Sequence, residues 1–243
     1  MERYSVIKEK NPREIVLLRG SGCKWRRCTF CDYHLDFSQN KEENFRLNSK
    51  VLSNVKGIYK RLEVINSGSF CDLDEMTMDK ILEVCKDREI TTIHFECHYL
   101  HRDEVPAIKE RFSKENITVK IKSGVETFDI PYREEVMKKG FCDASPEDIA
   151  NYADEVCLLF GLKDQTEKSM TTDIETGLKY FERVCVNIMN ENTTPVKPDK
   201  EVIEIFAKNI APKYIDNNRV DILMNNTDFG VGAENEGEEN YCD

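Results

Sequence analysis

Six times along this chain a short β-branched apolar run gives way to a stretch of helical period, and that alternation leaves few folds open. Ile15–Leu18, Val64–Asn66, Thr92–Phe95, Ile117–Ile121, Val156–Phe160 and Val184–Ile188 read as strands, with a weaker seventh at Val220–Met224. Between them, apolar residues recur at helical spacing: Val51, Leu52, Val55, Ile58, Tyr59 and Leu62; Met78, Ile81, Leu82 and Cys85; Val105, Ile108 and Phe112. Ile174, Leu178 and Phe181, then Val202, Ile205, Phe206 and Ile210, continue the pattern, and Asn48, Asp103 and Asp199 read as N-caps. Strand and helix in alternation make βαβ units, whose right-handed crossovers force a parallel sheet. Such a sheet either curls into a partial (β/α)6 barrel or winds doubly, and spacing alone does not separate the two.

The 243 residues suit one α/β domain at 1–229, followed by an acidic tail at 230–243 rich in Gly, Glu and Asn. Met1 is followed by polar and charged residues with no apolar signal core, which reads as a cytoplasmic chain. No apolar run approaches the roughly 20 residues a membrane span needs. The net charge of -11 points away from a nucleic-acid partner, because phosphate backbones are gripped by lysine and arginine. Ten cysteines in a reducing compartment point to metal binding or catalysis before disulfides.

Three of those cysteines, Cys23, Cys28 and Cys31, lie together as C-x4-C-x2-C directly after the first strand. In either sheet architecture chemistry collects past the C-terminal strand ends, so this loop sits on the active face. Two metal centres compete for it. With His34 as a fourth ligand the loop makes a closed Cys3His zinc site, the mark of a non-enzymatic module. Without His34, three thiolates hold a [4Fe–4S] cluster and leave one iron open to a small molecule.

The loop in this position resembles that of the radical S-adenosylmethionine (SAM) superfamily, with one residue more in the first gap than the commonest C-x3-C-x2-C spacing. The resemblance runs from about Glu14 to Met189 and implies a partial (β/α)6 barrel with a short C-terminal extension. It implies a [4Fe–4S] cluster on Cys23, Cys28 and Cys31, and SAM bound to the open iron. Phe30, the aromatic residue before the last cysteine, then packs near the SAM adenine. Ser67-Gly68-Ser69 matches the glycine-rich turn that meets the SAM amino group. Ser123-Gly124-Val125-Glu126-Thr127 resembles the G-[LV]-E-T element of the elongator-related members, with Glu126 on a ribose hydroxyl or the methionine ammonium and Lys122 beside it among the SAM-binding residues. Phe160-Gly161-Leu162 resembles the segment flanking the adenine. An electron donor such as flavodoxin or ferredoxin is implied as a partner.

The substrate is read from the remaining loops. Glu96, Cys97 and His98 end the third strand; the thiol is placed to donate a hydrogen atom, and Glu96 or His98 to manage a proton. Asn187, Asn190, Asn225 and Asp228 offer amides and a carboxylate to a flat heterocycle edge, with Glu234 in reserve. The other cysteines, Cys157 and Cys185 included, read as core filler. A compact, acidic chain with these motifs resembles the queuine lyase family, which removes the cyclopentenediol from free queuine to leave 7-aminomethyl-7-deazaguanine (preQ1) in queuosine salvage. A radical SAM enzyme acting on tRNA, and the zinc module, are the rival readings.

Overall fold

A computed structural model describes residues 1–233. All eight strands form one sheet in sequential order: β1 (Tyr4–Ile7), β2 (Arg13–Leu18), β3 (Arg61–Asn66), β4 (Thr92–Glu96), β5 (Thr118–Glu126), β6 (Glu155–Phe160), β7 (Arg183–Ile188) and β8 (Val220–Leu223). A doubly wound sheet reverses its strand order at a switch point. No reversal occurs here, so the sheet is a curled half-barrel, the partial (β/α)6 architecture. Strands β2 to β8 run parallel; β1 is an antiparallel edge beside β2 that the sequence pattern did not single out.

The helices are α1 (Lys41–Leu52), α2 (Glu75–Asp87), α3 (Val105–Ser113), α4 (Pro146–Ala150), α5 (Glu167–Tyr180), α6 (Lys200–Ile205) and α7 (Ala211–Tyr214). The helical face expected over 51–62 is corrected. Its residues straddle the end of α1, a turn through Gly57 at φ +74° and the start of β3. Asn40, not Asn48, caps α1 and accepts from Glu43 N. Asn48 lies inside the helix and serves the backbone of Arg19 twice, accepting from N and donating to O at 2.8 Å each. It thereby pins the exit of β2. Asp103 falls within the short helical segment Tyr99–Glu104, which His98 caps. Asp199 caps α6 as expected, accepting from Glu201 N and Val202 N.

Strand alternation sorts the side chains into two environments. In register across the sheet, Val16, Val64, Phe95 and Ile121 face the helices, as do Val156 and Val184 on β6 and β7, and all six belong to the main apolar core. The opposite, concave face carries Glu63 and His94, then Glu96, Lys122 and Glu155, then Cys157, Cys185 and Asp221. The lumen is therefore polar. Glu63 on β3 reaches Arg13 on β2 and, across β4, Lys122 on β5, and all three are buried.

The seam between β1 and β8 is bridged by the C-terminal stretch. Glu2 N donates to Ala233 O at 2.7 Å, Gly232 N donates to Glu2 O at 2.8 Å, and the Arg13 guanidinium lies 5.1 Å from the centre of the Phe229 ring. Residues 230–233, placed in the expected tail, run along this seam, with Gly232 and Ala233 bonded to Glu2. Residues 234–243, with Glu234 and Cys242, lie outside the described residues. Among those described, no helix is long and apolar enough to cross a membrane.

Candidate active site

Leaving β2, the chain turns at Gly20, packed so tightly that a Cβ there would sit 2.6 Å from Asp72 O. Gly22 follows at φ +91° and delivers the chain to Cys23. The Ser67–Ser69 turn after β3 packs on this point: a Cβ on Gly68 would come within 3.0 Å of Cys23 Cα. Ser69 is buried, donates its N–H to Asp72 Oδ2 and accepts from His98 N; Ser67 Oγ donates to Asp36 O. The turn thus braces the cysteine loop, and each serine hydroxyl already holds one protein partner.

A second clamp comes from residues 136–140, which the sequence pattern did not single out. Thr29 N donates to Met137 O, Thr29 Oγ1 to Val136 O and Trp25 Nε1 to Lys138 O, at 3.1, 2.9 and 2.7 Å. Lys139 from this segment is buried and ion-paired to Glu126 at 2.8 Å. Glu126 sits at φ +70° beside a register shift between Gly124 and Glu126, a bulge that re-aims its carboxylate toward the site. Burial opposes the Lys139 charge, but Glu126, Cys28 and Cys31 raise its pKa and keep it cationic.

The three cysteines are free thiols. Burial pushes the Cys28 thiol up and that of Cys31 up to about 12, against the pull of Lys139. Three thiols in one loop beside a buried cation suit an anionic cluster.

Behind the loop, Phe30, Met137, Leu159, Leu162 and Met189 form a small apolar cluster of their own, with Cys28 and Cys31 packed on it. Phe30 and Leu162 are thus brought together as expected. Phe160 is not: it points outward, fully buried, onto Phe206 at 5.6 Å. Leu159, its neighbour on the alternating strand, is the residue that joins the cluster. Ser123 likewise faces outward and hydrogen-bonds the Tyr152 hydroxyl at 2.6 Å. Lys122 does point inward, but its ammonium is committed to Glu63 in the lumen.

Alternation also divides the residues that end β4. Glu96 faces the lumen. Burial pushes its carboxyl up to about 7; Lys122 and Lys139 pull the other way, while Glu63 and Glu126 reinforce the rise. Cys97 faces the helix side, buried in the main core with its thiol directed at His98 O, so its placement as a hydrogen-atom donor is corrected. His98 is corrected too. Its Nδ1 accepts from Leu100 N, which leaves Nε2 to donate to Lys139 O at 2.8 Å. With both nitrogens engaged, and burial pushing its pKa down to about 3, the ring is a neutral strut stacked 5.7 Å from Trp25.

Of the amides assigned to substrate, Asn187 stands on the concave face of β7, in register with Leu223 and Leu159. Asn190 is used up: its Nδ2 donates to Ile188 O and Met224 O, and its Oδ1 accepts from Asn226 N. Asn192 donates to Phe30 O. Asn225 and Asp228 bond each other in an exposed turn, where Asp228 Oδ2 accepts from Asn225 N at 2.8 Å. Each Asp228 oxygen thus already accepts one bond from Asn225.

No protein-family model matches the chain, and no curated protein does. Solved structures do. SuiB of Streptococcus suis aligns with a TM-score of 0.53 and 14% identity over 88% of this chain and 50% of its own, a likeness of fold. Its SAM-bound form aligns equally well, with a TM-score of 0.52 and 13% identity. The half-barrel, with three free thiols clamped in the loop after its first parallel strand, defines a radical SAM enzyme. The queuine lyase of Clostridium spiroforme, solved with SAM and queuine, is 39% identical and superposes with a TM-score of 0.92 over 96% of this chain and 100% of that one. The chain belongs to the queuine lyase family.

Proposed function

We propose that this chain cleaves free queuine to preQ1 and serves queuosine salvage in the cytoplasm. The observation that carries the proposal is the coincidence of the clamped three-thiol loop with 39% identity to a queuine lyase along nearly the whole chain. Bound together, a [4Fe–4S] cluster and SAM supply a 5′-deoxyadenosyl radical through one-electron cleavage of a C–S bond. Cys23, Cys28 and Cys31 would hold the cluster, and burial of Lys139 beside Cys28 and Cys31 offsets the charge of their thiolates. The apolar set Phe30, Leu159, Leu162 and Met189 gives the loop an apolar backing against which a flat ring would pack. Glu126, turned by its bulge and paired to Lys139, sets a buried carboxylate and ammonium beside the loop, matched to a zwitterionic or diol-bearing ligand.

Deeper in the lumen, Glu96 and Asn187 face the space a small heterocycle would fill. A carboxyl with pKa about 7 both gives and takes a proton near neutrality, and suits a step in which an amine leaves. A low-potential donor such as flavodoxin or ferredoxin supplies the electron.

The test is anaerobic reconstitution, followed by incubation with SAM, a low-potential reductant and queuine. About four irons per chain, with 5′-deoxyadenosine and preQ1 released together, is the expected result. Zinc near one per chain with no iron overturns the cluster. Amine released from queuosine-bearing tRNA but not from free queuine overturns the small-molecule substrate.

A further inference from the structure

Cys157 and Cys185, read as core filler, lie one step of strand alternation away from the helix-side core that holds Cys97. Cys157 on β6 and Cys185 on β7 are direct register partners on the concave face, in the row that also holds Gly124 and Asp221. Among the described cysteines, the remainder sit in the metal loop, in the helix-side core or outside the sheet. Cys157 is half-buried, Cys185 is buried beside it, and the fields of Lys122 and Glu96 both reach Cys157. The two residues are direct neighbours across the β6–β7 pair, and the Cys185 thiol together with burial pushes the Cys157 thiol up, which favours its protonated form.

We infer that Cys157, backed by Cys185, is the hydrogen-atom donor that quenches the substrate radical after the C–N bond of queuine breaks. The inference rests on the queuine-cleaving reading above. Loss of a hydrogen atom from the cyclopentenediol, followed by scission of the neighbouring C–N bond, leaves an alkene in the ring and an unpaired electron on the departing nitrogen. That nitrogen takes the hydrogen atom of Cys157: an N–H bond forms, the S–H bond breaks, and the unpaired electron moves to sulfur. One electron from a low-potential protein reductant and one proton from solvent restore the thiol. A thiol suits this task because its S–H bond is weaker than the N–H bond it makes. A thiolate has no hydrogen atom to give, so the protonated state set by burial is the competent one.

Two measurements test the assignment. In the first, Cys157→Ser and Cys157→Ala are reconstituted and assayed beside the natural chain and Cys97→Ala. Iron content and thermal melts confirm that each variant is folded. Both Cys157 variants should still cleave SAM, with preQ1 per 5′-deoxyadenosine falling about tenfold or more, while Cys97→Ala keeps the natural ratio. A natural ratio in Cys157→Ser overturns the donor. In the second, the protein is treated with methyl methanethiosulfonate and mapped by mass spectrometry. SAM and queuine together should protect Cys157; its labelling at an undiminished rate places the thiol away from substrate and overturns the proposal. If the natural chain forms no preQ1 from queuine, the lyase reading falls and takes this assignment with it. Only the variant ratio and the labelling separate the donor's failure from that larger one.

Discussion

Glu96 shows how a residue's neighbourhood, not its type, sets its chemistry. In the unfolded chain its carboxyl titrates near 4.5; in the fold it titrates near 7. Below the lower value both states are protonated and the group costs nothing. Between the two, the unfolded state ionises first, so stability falls as pH rises, and above the upper value the cost is constant. Glu96→Gln should therefore stabilise the metal-free protein at pH 8, on the order of 3 kcal/mol, and leave it unchanged at pH 4. Urea titrations at the two pH values read this directly, and an equal effect at both would refute it. Lys122 makes the complementary case. Its ammonium and the Arg13 guanidinium share Glu63 in a buried triad, so Lys122→Met leaves the carboxylate short of a partner. The expected cost is about 3–5 kcal/mol.

At the scale of elements, the cysteine loop is shaped by segments far from it in sequence. Trp25 crosses to Lys138 O, stacks on His98 and occupies the space over Gly140, where a Cβ would fall 2.2 Å from the indole. Gly140 also has φ +77°, which favours glycine. Gly140→Ala should displace the indole and loosen the loop. Trp25 is the chain's single tryptophan, so its emission reports the change before any metal is added. The expected result is a red-shifted spectrum and lower iron uptake on reconstitution; an unshifted spectrum with full iron would show that this clamp is not needed. Asn48 is the corresponding anchor at the loop's start. Its assignment as a helix cap failed because its side chain answers the Arg19 backbone, a partner 29 residues away.

For the whole molecule, the polar lumen is closed at its open edge by the returning C-terminal stretch. The Phe229 ring over Arg13, and the bonds of Gly232 and Ala233 with Glu2, tie the last described residues to the first strand. Phe229→Ala removes the cation–π contact and should cost about 1–2 kcal/mol, read as a lower melting temperature with the main core intact. Loss of the ring should also widen the cavity of about 440 Å³ between β1 and β8, which Phe229 lines with Ser5, Lys10, Ile215 and Asp221.

The sequence by itself determined the order of strands and helices, because β-branched runs and helical periods are local properties. It also placed the three cysteines on the active face, because a loop after a parallel strand has only one end of the sheet to occupy. It could not decide which way each strand residue points, since a one-residue choice of face is fixed by burial against helices that are distant in sequence. That is why Phe160, Ser123 and Cys97 turned out to face the core, while Leu159, Cys157 and Cys185 face the site. Nor could it foresee Lys139, whose neighbours Lys138 and Gly140 look like an ordinary surface turn. Only the folding of residues 136–140 against the cysteine loop carries that ammonium to Glu126.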